Sequence, residues 1–221
     1  MASAASTIVF IIAAAAWSPL TDAASTSFPT SSPVSPPPCA APPLATAFLR
    51  ARCATTLYGV ACYESLLPYA CTFQTSHVKL ARAAADVNVA SLRLISKRVK
   101  EIIGGGGGGG GMTGDEMAEL RDCASTLSSA AGLAKQSAAE LAKLDAAGAA
   151  AGRSSARWAI SNAQTWLSAS MTNEATCSDG LALSGATAAS LTVRQVAIGV
   201  VSAKEQTSIA LALVNGIPVP S

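Results

Sequence analysis

Six cysteines, Cys39, Cys53, Cys62, Cys71, Cys123 and Cys177, and a single histidine, His77, are the residues of this 221-residue chain whose types could do chemistry. Zinc needs closely paired Cys or His ligands, and neither the cysteine spacing nor one histidine supplies them, so no metal is expected. A Ser/His/Asp arrangement would have to use His77, but no nucleophile elbow accompanies it, so no catalytic residue is assigned. The eight glycines from Gly104 to Gly111 lack the preceding strand and the following Lys-Ser or Lys-Thr of a phosphate loop. They read as a flexible connection, and no cofactor is expected. What remains for the cysteines is oxidation to disulfides, which requires an oxidising compartment. Cys53 and Cys62 would pin a local hairpin, and Cys123 with Cys177 would close a long loop. Six cysteines nevertheless allow fifteen pairings.

The N-terminus agrees with export. Ile8 to Trp17 is an apolar run, followed by Pro19 and by the small residues Ala23 and Ala24, which describes a signal peptide over residues 1–24. The run falls short of the roughly 18 residues that a membrane span needs. Residues 25–43 are rich in Ser, Thr and Pro and read as a disordered arm. The domain is then 44–221, with a helical hairpin over about 44–72 and a bundle over about 73–215.

Periodicity sets the fold class. Val78, Ala81, Ala85, Asn88, Leu92, Ile95, Val99 and Ile102 recur in steps of three and four, which predicts a helix over about 73–103. Leu120, Cys123, Leu127, Ala130, Ala134, Ser137, Leu141 and Leu144 predict a second, with Thr113 and Glu116 as a capping box at its start. Residues 155–171 fit a third, carrying Ile160, Ala163 and Leu167 with Trp158 and Trp166. Val193, Val196, Val200, Ala203, Thr207, Ala210 and Val214 predict a fourth, ending at Asn215, Gly216 and Pro218. The expected fold is all-α: an up-and-down four-helix bundle preceded by a helical hairpin and stapled by disulfides.

A net charge of +2 gives no reason to expect nucleic acid, and after leader removal no membrane is expected. The first long helix carries Lys79, Arg82, Arg93, Lys97, Arg98 and Lys100 against Asp86 and Glu101. Such a face is ordinarily solvated; an acidic polymer or protein is the partner it would suit.

The segment Thr165-Trp166-Leu167-Ser168-Ala169-Ser170-Met171-Thr172-Asn173-Glu174-Ala175-Thr176-Cys177-Ser178-Asp179-Gly180 resembles the signature of the plant invertase and pectin methylesterase inhibitor family. The stretch CATTLYGVACYESL around Cys53 and Cys62, the run Leu120-Arg121-Asp122-Cys123 and the closing Ser208-Ile209-Ala210-Leu211-Ala212-Leu213 agree, so the resemblance spans about 48–214. It implies disulfides Cys53 to Cys62 and Cys123 to Cys177, no catalytic activity, and one-to-one binding to a secreted enzyme of the cell wall whose cleft is occluded. The chain lacks the Pro-Lys-Phe motif of the invertase inhibitors, so the resemblance points to pectin methylesterase, with cell-wall or vacuolar invertase as the alternative. A structural or signalling helical protein of the apoplast is a further alternative. By the same resemblance the long helix after the hairpin and the helices flanking Cys177 form the inhibitory face, with Asn173, Thr176 and Asp179, and then Gln164, as contact residues. Their other reading is as caps and turn formers beside a helix break. Cys71 matches a fifth, usually unpaired family cysteine, and Cys39 has no counterpart; a Cys39–Cys71 bond, two thiols, or loss of Cys39 in processing all remain open. With no esterase following Ser221, a stand-alone inhibitor is expected.

Overall fold

The computed structural model describes residues 41–105 and 112–219, all within the compact unit Ser35–Ser221. The expected signal peptide, nearly all of the arm, Cys39 and most of the glycine connection lie outside the described residues. The chain enters at α1, Pro43–Cys53, whose N-terminal proline has the preset backbone angle suited to a first helical turn. Then come α2, Gly59–Leu66, a 3-10 turn, Leu67–Tyr69, and the short α3, Ala70–Phe73. A disulfide joins Cys53 to Cys62, with Cα atoms 5.5 Å apart, and ties α1 to α2. Cys71 is itself disulfide-bonded.

Four long helices follow: α4, His77–Gly104; α5, Gly114–Ala147; α6, Arg153–Leu183; and, after the short α7, Ala186–Ala189, α8, Leu191–Asn215. Among the described residues the fold is the expected all-α bundle. The first long helix starts at His77 rather than near residue 73. Gln74 adopts a left-handed φ of 51°, which interrupts the helix, and Ser76 then caps the new one, accepting a hydrogen bond from the Lys79 amide. A larger departure concerns α6, which continues twelve residues past the expected end at 171 and carries Cys177 inside the helix.

α5 begins with the capping box read from the sequence. The Glu116 amide donates to Thr113 Oγ1 at 3.2 Å, and the Thr113 amide donates to Glu116 Oε2 at 2.7 Å. Asp115 and Glu116 in the first turn also complement the helix dipole. Thr113→Ala is expected to cost about 1 kcal/mol, read as a shift of the urea midpoint without a change in slope.

Neighbouring helices pack in the order α4, α5, α6, α8, with α8 closing back on α4. α4 and α6 therefore face each other across a diagonal. By length and composition α8 could cross a bilayer. Here Val193, Val196, Val200, Ala203 and Val214 are spent on the bundle interior.

The interior has two apolar halves. One gathers Leu49, Leu66 and Phe73 of the hairpin with Leu80, Leu141, Leu167 and Ile209; the other gathers Leu92, Leu120, Leu127, Leu181, Val193 and Val200. Between them runs a polar layer with one or two residues from each long helix: Asn88, Ser137, Ser170 with Glu174, and Thr207, all fully buried.

Candidate functional site

Cys177 lies on the buried stripe of α6 and is bonded to Cys123 of α5, their Cα atoms 4.4 Å apart. This bond holds the two helices together at the segment that carries Asn173, Thr176 and Asp179. All three residues sit within the continuous α6, so they are not the caps or turn formers that a break at Cys177 would have made them.

Each helical residue advances the direction of its side chain by about 100°. Thr176 and Asp179 therefore project away from the buried stripe of Ile160, Ala163, Leu167, Ser170, Glu174, Cys177 and Leu181. Both are exposed. Asn173 borders the stripe on the α5 side. Gly180, two turns further along the same line, faces α5 so closely that a Cβ there would stand 2.9 Å from Glu119 Oε2. Gln164 lies on the opposite flank, where its Nε2 donates to Asn215 Oδ1 of α8 at 2.8 Å. Asn173, Thr176 and Asp179 thus form one patch, while Gln164 belongs to another edge of the helix.

The patch is pre-ordered by local bonds. Asn173 Nδ2 donates to the Ala169 carbonyl at 2.9 Å and Thr176 Oγ1 donates to the Thr172 carbonyl at 3.0 Å, while the neighbouring Ser178 Oγ donates to the Ala175 carbonyl at 2.9 Å. The Thr176 oxygen and the amide oxygen of Asn173 remain able to accept from a partner, and Asp179 keeps most of its acceptor capacity. Beneath them is Glu174, which the sequence reading passed over. Its Oε1 is 2.9 Å from Ser170 Oγ and 2.7 Å from Thr207 Oγ1. Thr207 Oγ1 is also 2.9 Å from Asn88 Oδ1, and Ser170 Oγ is 3.0 Å from the Ala130 carbonyl. Two hydroxyl protons cannot satisfy all these acceptors. Asn88 Nδ2 has no partner among the described residues, so turning the Asn88 amide over supplies the missing donor to Thr207 Oγ1. Burial raises the Glu174 carboxyl above the ordinary 4.5, against the opposing pull of Thr207, Ser170 and the Lys204 charge.

His77 stands at the start of α4. It is half-buried, its ring edge-on to Phe48 with centroids 5.0 Å apart, and burial and the nearby Arg52 hold its pKa below 6.5. Trp158 is exposed and Trp166 half-buried. Among the described residues no group of three His, Cys, Asp or Glu side chains could hold a metal.

The described residues form a disulfide-stapled all-α bundle with polar side chains ordered along one exposed helix edge. This chain belongs to the plant invertase/pectin methylesterase inhibitor family, whose pattern its residues 47–213 match. It is 32% identical over 170 residues to pectinesterase inhibitor 10 of Arabidopsis thaliana, across 76% of this chain and 50% of the relative. The chain thus spans about half the length of that relative. It is 33% identical over 171 residues to pectinesterase inhibitor 11 of the same plant, across 76% of this chain and 79% of the relative. A crystal structure of a mutant form of a pectin methylesterase inhibitor from Arabidopsis has the same fold, with a TM-score of 0.57 at 21% identity, covering 76% of this chain and 95% of that one.

Proposed function

We propose that this protein is a secreted inhibitor that binds a plant pectin methylesterase one to one and blocks its substrate cleft, restraining pectin de-esterification in the cell wall. The observation that carries this reading is the patch Asn173, Thr176 and Asp179, held on α6 beside the Cys123–Cys177 bond. A helix surface stiffened by a covalent tie loses little freedom on docking, so more of its contact energy becomes affinity. The names of the relatives support the esterase as target, and the missing Pro-Lys-Phe motif argues against invertase. Export to the apoplast rests on the leader-like residues 1–24 and on the disulfides.

The test is titration of the oxidised protein against a plant pectin methylesterase and against an invertase, with residual activity as the readout. Stoichiometric loss of esterase activity is expected. Inhibition of invertase alone would transfer the reading to the other branch, and inhibition of neither at micromolar protein would leave a structural or signalling role. Thr176→Arg is expected to weaken esterase inhibition at least about tenfold with an unchanged melting temperature, because the side chain is exposed and its replacement would crowd a docked partner. Asp179→Ala is expected to weaken inhibition with an unchanged melting temperature, since it removes an exposed charge-assisted acceptor from the patch.

A further inference from the structure

On the far side of α5 from Asn173, the α4/α5 interface opens into a groove of about 570 Å³ whose charged lining is Arg93, Lys97, Lys100 and Lys135 against Glu101. Arg93, Lys97 and Lys100 follow one another along α4 over about 10 Å, and Lys135 faces them from α5. The single carboxylate sits at one end, 3.7 Å from Lys97 and 4.0 Å from Arg98. Lys100 Nζ reaches across to Ser128 Oγ at 3.1 Å. Arg93 and Lys135 have no ionic partner among the described residues. The floor is shallow at Gly132, where an added Cβ would meet nothing within 4 Å.

We propose that this groove binds an anionic polysaccharide, a de-esterified pectin chain whose sugars carry carboxylates. The cations are spread along a line rather than converging on a point, which suits a polymer with repeated single charges. Ser128, which is exposed, adds a hydroxyl to the lining that can bond a sugar hydroxyl. Hydrolysis of a methyl ester turns a neutral sugar into a carboxylate, so the groove recognises polymer on which an esterase has already acted. An inhibitor held there meets its target at a raised local concentration. The choice of polymer rests on the inhibitor reading above; the binding itself needs no esterase.

The test measures binding of the full oxidised protein, without enzyme, to polygalacturonate, to the same polymer fully methyl-esterified, and to dextran sulfate. Binding to polygalacturonate that falls with added salt is expected, with little to the ester. Arg93→Gln/Lys135→Gln is expected to lower the affinity roughly tenfold. Gly132→Glu, which puts a carboxylate on the open floor, should lower it as far without loss of melting temperature. No binding to polygalacturonate, equal binding to the ester, equal or tighter binding to dextran sulfate, or binding unchanged in both variants would each overturn the proposal. A protein that inhibits the esterase but ignores the polymer refutes this site alone; one that binds the polymer but inhibits neither enzyme refutes only the inhibitor reading.

Discussion

Cys123→Ala/Cys177→Ala is expected to lower the melting temperature of the oxidised protein by roughly 12 °C, more than any other change considered. The bond joins residues separated by 54 positions. Releasing a loop of that length returns about 4 kcal/mol of chain entropy to the unfolded state, and a domain of this size loses some 2–4 °C per kcal/mol. The bundle depends on this tie because its stripes are rich in alanine. Ala81, Ala84, Ala85, Ala130, Ala134, Ala163, Ala203 and Ala210 are buried and bring the helices close, but each removes little apolar area from water. The Cys53–Cys62 bond closes a separation of only nine and acts within the hairpin, so Cys53→Ala/Cys62→Ala should cost about 2.5 kcal/mol. Paired thermal melts rank the two. Equal losses would show that loop length does not set the effect. On the inhibitor proposal, the Cys123–Cys177 variant should also bind the esterase more weakly, since α5 and α6 would no longer be fixed beside Thr176 and Asp179.

The second large effect belongs to Glu174. Glu174→Ala removes a fully buried side chain and takes a partner from Ser170 and from Thr207 in the middle of the core, at a cost of about 3 kcal/mol. Glu174→Gln keeps the shape and takes away the charge, which separates packing from ionisation. In the native protein the Glu174 carboxyl is raised above 4.5, so between 4.5 and its raised value the folded state holds a proton that the unfolded state has released. Its contribution to stability is therefore complete below pH 4.5 and is lost as the pH rises through the folded value. His77 works in the opposite sense. Its pKa is lowered, so its contribution is present above 6.5 and is lost as the pH falls through the folded value. Asp86, raised by burial against the pull of Arg82, shares the direction of Glu174, but solvent screens its half-exposed side chain. Melting temperatures of wild type and Glu174→Gln from pH 4 to 8 check the sign. The variant is expected to gain on wild type as the pH rises, and parallel curves would mean that Glu174 does not titrate in this range.

Much of the helical frame was legible because it rests on local rules. The seam from Leu120 to Leu144 is buried at every position read from the period, and Thr113 with Glu116 makes the capping box their spacing implied. The end of α6 was not legible. Ser178, Asp179 and Gly180 are poor helix formers, and propensity alone would stop a helix there. The Cys123–Cys177 bond and the burial of Leu181 in the core override it. The half-burial of His77 was not legible for a related reason: its ring packs on Phe48, which a separate helix brings to it.

The sequence by itself determined the all-α class, the buried stripes, the capping box of α5 and the family, because side-chain period, capping and motif spacing are properties of neighbouring residues. The tertiary structure alone decided that Asn88, Ser170, Glu174 and Thr207 meet in one buried layer, a contact that spans 119 residues between Asn88 and Thr207. It also decided that Gln164 stands apart from Asn173, Thr176 and Asp179, and that Lys135 faces Arg93. Such pairings follow from which helix faces which around the bundle and at what height, and that arrangement is fixed only when the apolar stripes close on one another.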